Sequence, residues 1–137
     1  MIVIDSSALL AILFEEPEKR AFEDVIATSE RCLISAVNAH ETATVLRLRY
    51  GGAAVERFWE LLAESDIEIA PFDEAQVRAA AVAFDRYGKG INPQARLNLS
   101  DCAAYALAPR RCCSRVTISH RPTCVRAFER ARASVRH

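Results

Sequence analysis

Short apolar runs alternate with longer segments whose apolar residues recur at helical spacing over the first 108 residues of the chain. A short apolar run between turn signals is typical of a buried strand, and a period near 3.6 is typical of an amphipathic helix. The predicted strands span residues 1–5, 31–35 and 66–72. The predicted helices span residues 7–14, 18–29, 36–50, 54–64, 74–87 and 101–108, with a loop over residues 88–100. Strands that alternate with helices predict an α/β fold with a mostly parallel sheet.

The length and the cysteines narrow the class of protein. A chain of 137 residues fits one domain with a single core. No stretch reaches the roughly 18 apolar residues that cross a bilayer, so we expect a cytoplasmic protein without membrane contact. Five cysteines, of which Cys112 and Cys113 are adjacent, match neither a disulfide framework nor a zinc spacing, so we expect reduced thiols.

The net charge of zero conceals an asymmetry between two parts of the chain. Residues 1–109 carry 17 acidic and 10 basic side chains, whereas residues 110–137 carry eight arginines and one glutamate. Such a basic segment can be an arm that binds RNA, but a GC-rich gene read in a shifted frame also yields arginine. We therefore separate a core, residues 1–108, from an atypical arginine-rich tail, residues 109–137.

Three acidic residues stand where a predicted α/β fold could bring them together. Asp5 follows the first strand, at the end of a parallel sheet where ligands bind. Glu41 lies between Val37, Val45 and Leu48 on a predicted helix face, which predicts that it points inward. Asp101 opens the last helix, where free amide groups attract anions. Each has an ordinary alternative, since Asp5 and Asp101 can cap helices and Glu41 can reach solvent.

Carboxylates that converge repel one another, and a divalent cation with oxygen ligands, Mg²⁺ or Mn²⁺, is the usual partner. Such a cation activates water and stabilises a leaving oxygen, which is the chemistry of phosphodiester hydrolysis. His40 adjoins Glu41 but points to another side of the helix, so a histidine mechanism is poorly supported. The three acids thus predict a metal-assisted hydrolase.

Three segments carry a family resemblance: MIVIDSSALLAILFEEPE, ISAVNAHETATVL and ARLNLSDCAAYALA resemble PIN-domain ribonucleases, and specifically the VapC toxins of bacterial toxin–antitoxin pairs. The resemblance implies a three-layer α/β sandwich and a Mg²⁺- or Mn²⁺-dependent endoribonuclease. It also implies a homodimer held inactive by a VapB-like antitoxin. The family's acids correspond to Asp5, Glu41 and Asp101 here.

The resemblance extends to residues around the acids. A hydroxyl residue after the first acid corresponds to Ser6 or Ser7, which would orient Asp5. Expected RNA contacts are Lys89 and Arg96 in the loop before Asp101, and Arg47 or Arg49, with solvated surface charge as the alternative for each. The helices over residues 18–29 and 54–64 could form the antitoxin groove with Phe22, Phe58 and Trp59, unless these residues pack in the core.

The tail departs from the family, which typically continues with a strand and a motif like LLFKGDDF. Here the text is CCSRVTISHRPTCVR, without an acid between Asp101 and Glu129. Codons that encode this text can be regrouped, with the last base of the Arg111 codon, to read LLFKGDDFS. We therefore predict a shifted frame after about residue 108, a tail that packs poorly, and only residues 116–118 and 124–135 as a possible strand and helix.

Two other classes of function remain open from the sequence. A PIN module with impaired catalysis could bind antitoxin or RNA without cleaving, because a missing fourth acid weakens the metal site. An aspartyl-nucleophile phosphotransferase is the other class, although it usually has a second Asp where Ser7 stands. Metal-dependent cleavage of RNA by the full chain separates these classes.

Overall fold

A parallel four-stranded sheet forms the centre of the computed structural model, which describes residues 1–93 and 96–107 and the backbone of Cys112 and Cys113. Its strands are β1 (Ile2–Ile4), β2 (Cys32–Ser35), β3 (Ile67–Ala70) and β4 (Cys112–Cys113). They lie in the order β3-β2-β1-β4. Val3 pairs with Leu33 on one side and with Cys112 on the other. The three strands predicted from the sequence are present, and β4 is an additional one.

Within the described part of the chain, six helices connect and cover the strands: α1 (Ser6–Leu13), α2 (Lys19–Ala27), α3 (Ala36–Tyr50), α4 (Gly52–Glu64), α5 (Glu74–Tyr87) and α6 (Leu99–Leu107). The bounds of α3 and α5 match the predicted ones, and those of the other helices differ by one or two residues at an end. No helix among the described residues is both long and apolar enough to cross a membrane.

The core has a large part on one face of the sheet and smaller parts on the other. Ile4, Ile34 and Ile67 project toward α1 to α4, where Phe22 and Phe58 are fully buried. Val3 and Leu33 alternate to the opposite face and pack on Ala104 of α6. Residues of α5 and α6 form a further cluster. Helices therefore cover both faces, and the predicted three-layer sandwich is confirmed.

The buried face of α3 differs from the prediction. Its buried residues are Asn38, Ala39, Thr42 and Leu46. The predicted apolar stripe is wrong, because Leu48 is 81% exposed. The helix turns its small and polar residues toward its neighbours α1 and α6, so hydrophobicity alone does not locate the face in contact. Glu41 lies at the edge of the buried face and is half-buried.

The loop prediction for residues 88–100 is wrong at its end, because α6 begins at Leu99 and includes Ser100. A bridge between Gly88 and Leu97 closes the loop instead. The possible strand and helix over residues 116–118 and 124–135 lie outside the described residues.

Candidate active site

Asp5 ends β1 and caps α1 at the same time. Its side chain is 3% exposed, and its Oδ1 accepts hydrogen bonds from the Ala8 amide at 3.2 Å and the Ser7 hydroxyl at 2.7 Å. Because the chain turns directly from strand to helix here, the capping acid lies at the carboxyl end of the central strand. Asp5 therefore caps a helix and also lies where ligands bind in a parallel sheet, so the two predicted positions of this residue coincide.

Glu41 reaches the beginning of α1 from α3. The Ser6 hydroxyl donates to Glu41 Oε2 at 2.8 Å, across 35 residues of sequence. The two consecutive serines thus contact different acids, Ser6 contacting Glu41 and Ser7 contacting Asp5. This arrangement fixes both carboxylates around one helix N-terminus.

Asp101 lies in the first turn of α6, where it takes part in a reciprocal cap. Its amide donates to Asn98 Oδ1 at 2.8 Å, and its own Oδ2 accepts from the Asn98 amide at 2.9 Å. The Ser100 hydroxyl also donates to Asn98 Oδ1, at 2.9 Å. Asn98, rather than Ser100 or Asp101, is therefore the capping residue, and the pair forms a capping box.

Electrostatics links Asp101 to Glu41. Burial raises the pKa of the Asp101 carboxyl, the hydrogen bond from the Asn98 amide lowers it, and the negative charge of Glu41 raises it further. Burial and the Asp101 charge together raise the pKa of the neighbouring Cys102 thiol to about 11. Neither Glu41 nor Asp101 forms an ion pair with a basic side chain in residues 1–93 and 96–107.

The donor set suits a hard cation, although the site is not assembled as a metal centre. Carboxylate oxygens are the ligands that Mg²⁺ and Mn²⁺ prefer, and two desolvated carboxylates that repel each other need a positive partner. Among the described side chains, however, no three acids, histidines or cysteines are close enough to hold one ion. Glu41 and Asp101 are the two acids that interact electrostatically, and Asp5 directly precedes Ser6, the serine that donates to Glu41.

The predicted RNA contacts are all exposed but differ in position. Lys89 and Arg96 belong to the loop before Asp101, and the Lys89 amide donates to the Leu97 carbonyl at 2.8 Å. Arg47 lies six residues after Glu41, about 9 Å along α3 and on another side of the helix. Lys89 and Arg96 therefore lie in the loop that leads to Asp101, whereas the Arg47 guanidinium lies toward Gly52 of α4.

Sequence reasoning missed two residues of this site. Asn98 has a recognisable signal, since an Asn three residues before an Asp at a helix start is the spacing of a capping box. Asn38 has no such signal. It is 1% exposed, and its side chain amide donates to Ser6 Oγ at 3.4 Å.

Comparison with known proteins agrees with this geometry. The PIN domain family matches residues 2–119. Ribonuclease VapC of Mycolicibacterium smegmatis is 38% identical over 106 residues, which are 77% of this chain and 81% of that protein. Ribonuclease VapC28 of Mycobacterium tuberculosis is 33% identical over 106 residues, which are 77% of this chain and 80% of that protein.

A solved structure has the same fold. The crystal structure of Mycobacterium tuberculosis VapC20, described as a sarcin-ricin loop cleaving toxin, superposes with a TM-score of 0.66 at 14% identity. The match covers 83% of this chain and 88% of that one. The fold and the family match together define a PIN-domain protein.

Within that family, the chain belongs to the VapC ribonucleases, the endoribonuclease toxins of toxin–antitoxin systems. The predicted family and the predicted endoribonuclease toxin are confirmed. A binding module without catalysis is not favoured, because the curated relatives are named as ribonucleases.

Proposed function

We propose that the chain hydrolyses RNA phosphodiester bonds with the help of Mg²⁺ or Mn²⁺ bound by Asp5, Glu41 and Asp101. The observation that carries the proposal is the electrostatic relation of Glu41 and Asp101. Burial and the Glu41 charge raise the pKa of Asp101, and no basic side chain in the described part of the chain is paired with either acid. When bound, a divalent cation would polarise a phosphoryl oxygen of the RNA and activate a water molecule for attack.

The residues around the acids orient them for this task. Ser7 and the Ala8 amide hold one oxygen of Asp5, Ser6 holds one oxygen of Glu41, and the Asn98 amide holds one oxygen of Asp101. Hydrogen bonds of this kind to ligand carboxylates fix their rotamers and raise metal affinity. Glu41 Oε1 and Asp101 Oδ1 lie outside these hydrogen bonds, and we assign them to the cation together with the Asp5 carboxylate.

The substrate is a polyanion, and the loop before α6 is suited to it. Lys89 and Arg96 are exposed in the loop that precedes Asp101, and such cations attract phosphates in a salt-dependent way. Arg47 is a separate predicted RNA contact, because it lies six residues after Glu41 and on another side of α3. Its exposed side chain has room to meet RNA that extends toward α4.

The test is RNA cleavage by the full chain with Mg²⁺, with Mn²⁺ and with a chelator. Asp101→Asn should abolish cleavage without unfolding the protein, because the amide keeps the size and one acceptor of the carboxylate. Asp85→Asn on the exposed side of α5 is the matched control and should cleave normally. Full metal-dependent activity of Asp101→Asn contradicts the site, and a folded chain that cleaves no RNA with either metal contradicts the proposed catalysis.

We further propose that a VapB-like antitoxin occupies the groove between α2 and α4. A cavity of about 600 Å³ opens there, and Ile12, Leu13, Ile26 and Leu61 supply its apolar part. Five acids and two bases line it as well: Glu15, Glu23, Glu30, Glu64, Asp66, Lys19 and Arg57. This lining suits an apolar segment with basic flanks. Phe22 and Phe58 are core residues and do not line the groove, whereas Trp59 is 40% exposed on α4.

Co-expression with the neighbouring upstream reading frame tests this partner. We expect a stable complex that cleaves no RNA, and a double substitution Glu23→Lys and Glu30→Lys should weaken it and reduce its salt dependence. Asp85→Lys lies outside the groove and is the charge-matched control for each of the two single substitutions, Glu23→Lys and Glu30→Lys. A protein that ignores the co-expressed product argues against the antitoxin.

A homodimer that acts in the cytoplasm completes the proposed function. Exposed apolar residues such as Leu48 on α3 and Val77 and Val82 on α5 offer surfaces for a second copy. Light scattering of the purified chain measures its mass directly, and a monomer at all concentrations contradicts this part of the proposal.

The tail, residues 109–137, we attribute to a shift of reading frame after about residue 108. Its strand β4 pairs with the central strand β1, a place that favours large apolar side chains, yet its two residues are cysteines. In the alternative frame the same two codons read as leucines and an acid falls near Thr117. Each curated relative described above matches over 106 residues only.

Resequencing the gene around codon 109 tests the origin of the tail. A shifted gene should encode LLFKGDD after the corrected position, and the corrected protein should be more stable and bind metal more tightly. A gene that encodes the arginine-rich tail in frame, with full nuclease activity of its product, contradicts this interpretation. The arginines then become candidate phosphate contacts.

A further inference from the structure

Asn38 is an amide in the core that packing alone does not explain. It is the third residue of α3 and is 1% exposed. Its Nδ2 donates to Ser6 Oγ at 3.4 Å, but its Oδ1 is buried and has no hydrogen-bond partner among the described residues. Buried polar atoms without partners are uncommon in folded proteins, and a leucine has the same branched arrangement of side-chain heavy atoms without this cost. The amide therefore points to a role beyond filling space.

The hydroxyl of Ser6 shows what the amide does. Its oxygen has one proton and two lone pairs. Two acceptors lie within reach of the proton, namely Glu41 Oε2 at 2.8 Å and the backbone carbonyl oxygen of Asn38 at 3.2 Å. The Asn38 amide donates to a lone pair of the same oxygen, so it fixes the hydroxyl as a donor to these two acceptors.

A neighbouring threonine biases this choice toward Glu41. The Thr42 hydroxyl donates to the backbone carbonyl of Asn38 at 2.8 Å, and this carbonyl also accepts a backbone hydrogen bond within α3. Its lone pairs are therefore occupied, whereas Glu41 Oε2 is closer to Ser6 and carries charge. Charge-assisted hydrogen bonds are the shorter and stronger ones.

We propose that Asn38 is a positioning residue that acts through Ser6 to hold Glu41 in the geometry that binds the catalytic cation. This inference rests on the proposed function, because Glu41 must be a ligand for its orientation to matter. In this arrangement the Asn38 amide contacts Ser6, Ser6 contacts Glu41, and only Glu41 would contact the cation. Residues in such places change metal affinity or activity by about tenfold or more when they are replaced.

Asn38→Leu in the full chain is the main test. We expect the free energy of unfolding of the metal-free protein, measured in urea, to stay the same or to rise, because the unpaired Oδ1 is removed. Mn²⁺ affinity by calorimetry should fall about tenfold, and kcat should fall while KM for RNA stays constant. If leucine prevents folding, Asn38→Thr removes the same donor, and its hydroxyl can bond to the helix backbone.

A double-mutant cycle with Ser6→Ala tests the route. If Asn38 acts through Ser6, the double variant should bind Mn²⁺ as weakly as Ser6→Ala alone, because the two substitutions break one connection. Leu46→Ala on the buried face of the same helix is the control. It should lower the free energy of unfolding and leave Mn²⁺ affinity unchanged.

The outcomes separate this inference from the proposed function. A wild-type chain that binds no Mn²⁺ overturns both. A wild-type chain that binds Mn²⁺ and cleaves RNA, together with Asn38→Leu of unchanged Mn²⁺ affinity and kcat, overturns the positioning role alone. Additive effects of Asn38→Leu and Ser6→Ala on Mn²⁺ affinity also overturn it.

Discussion

Asp5 has two tasks, and two substitutions separate them. As the cap of α1 it needs only an acceptor oxygen, which receives the Ala8 amide and the Ser7 hydroxyl. As a proposed ligand it needs negative charge. Asp5→Asn keeps the acceptor and removes the charge, whereas Asp5→Ala removes both. We therefore predict equal loss of RNA cleavage and unequal loss of stability.

The size of the difference follows from the cap. Loss of a capping side chain costs about 0.5–2 kcal/mol, and a buried amide left without a partner costs about 1–3 kcal/mol. Ala8 is fully buried, so water does not replace Asp5, and we take about 2 kcal/mol for Asp5→Ala. With about 2.1 cal/mol/K of unfolding entropy per residue, a chain of 137 residues loses about 7 °C in Tm. Asparagine caps as well as aspartate, so Asp5→Asn should stay within about 2 °C.

Calorimetry of the metal-free variants measures Tm, and cleavage of a structured RNA with Mn²⁺ measures activity. Asp73 provides matched controls, since it caps α5 at an exposed position by accepting the Gln76 amide at 3.0 Å. Asp73→Asn and Asp73→Ala should both cleave RNA normally. If Asp5→Asn loses as much Tm as Asp5→Ala, the charge itself holds the fold and the reasoning is refuted. Retained cleavage by Asp5→Asn refutes the ligand role.

Two further predictions concern residues around the site. Because burial and the Asp101 charge raise the pKa of Cys102 to about 11, iodoacetamide at pH 8 should leave this thiol unmodified in the folded protein and modify it in urea, as peptide mapping can show; equal modification in both states contradicts the burial. Gly88→Ala should destabilise the protein by about 1–3 kcal/mol, since the new Cβ would lie 2.6 Å from the Phe84 carbonyl oxygen. Gly52→Ala meets only the movable end of Arg47 and should be nearly neutral in the same urea titration.

The outline of the fold follows from hydrophobic pattern because short strands and amphipathic helices leave a clear period. The bounds of α3 and α5 agree with the pattern, and the acids at strand and helix ends fall where parallel strands place such residues. The two-residue strand β4 leaves no period at all. Its place beside β1 depends on a pairing partner more than 100 residues away in sequence, which local pattern does not contain.

The interior of α3 shows a different limit. Its hydrophobic residues predicted one face, and its small and polar residues form the buried one. Periodicity assumes that buried positions are apolar, and this assumption fails on α3, where two polar residues are fully buried. Asn38 and Thr42 are buried because they hydrogen-bond to Ser6 and to the helix backbone. Such partners are 32 residues apart along the chain for Asn38 and Ser6.

The same limit explains why the sequence does not show which of the two serines contacts which acid. The sequence places Ser6 and Ser7 after Asp5, and either one could orient it. A helix turns by about 100° per residue, so two consecutive side chains at its start point in different directions. Ser7 turns back to Asp5 while Ser6 turns to α3 and meets Glu41. Which serine does which depends on the position of α3 against α1, and only the packed fold contains that information.

The burial of Asp101 and its repulsion by Glu41 connect the fold to the proposed function. The sheet and α6 place Asp101 in a desolvated position near Glu41, although a neutral residue there would remove both the burial cost and the repulsion. Carboxyl groups whose pKa is shifted by burial and a nearby charge are found more often at functional sites than elsewhere, which agrees with the proposed role of these two acids. The repulsion between Glu41 and Asp101 therefore supports the proposal that these two carboxylates act together, because two unrelated helix residues would carry no such cost.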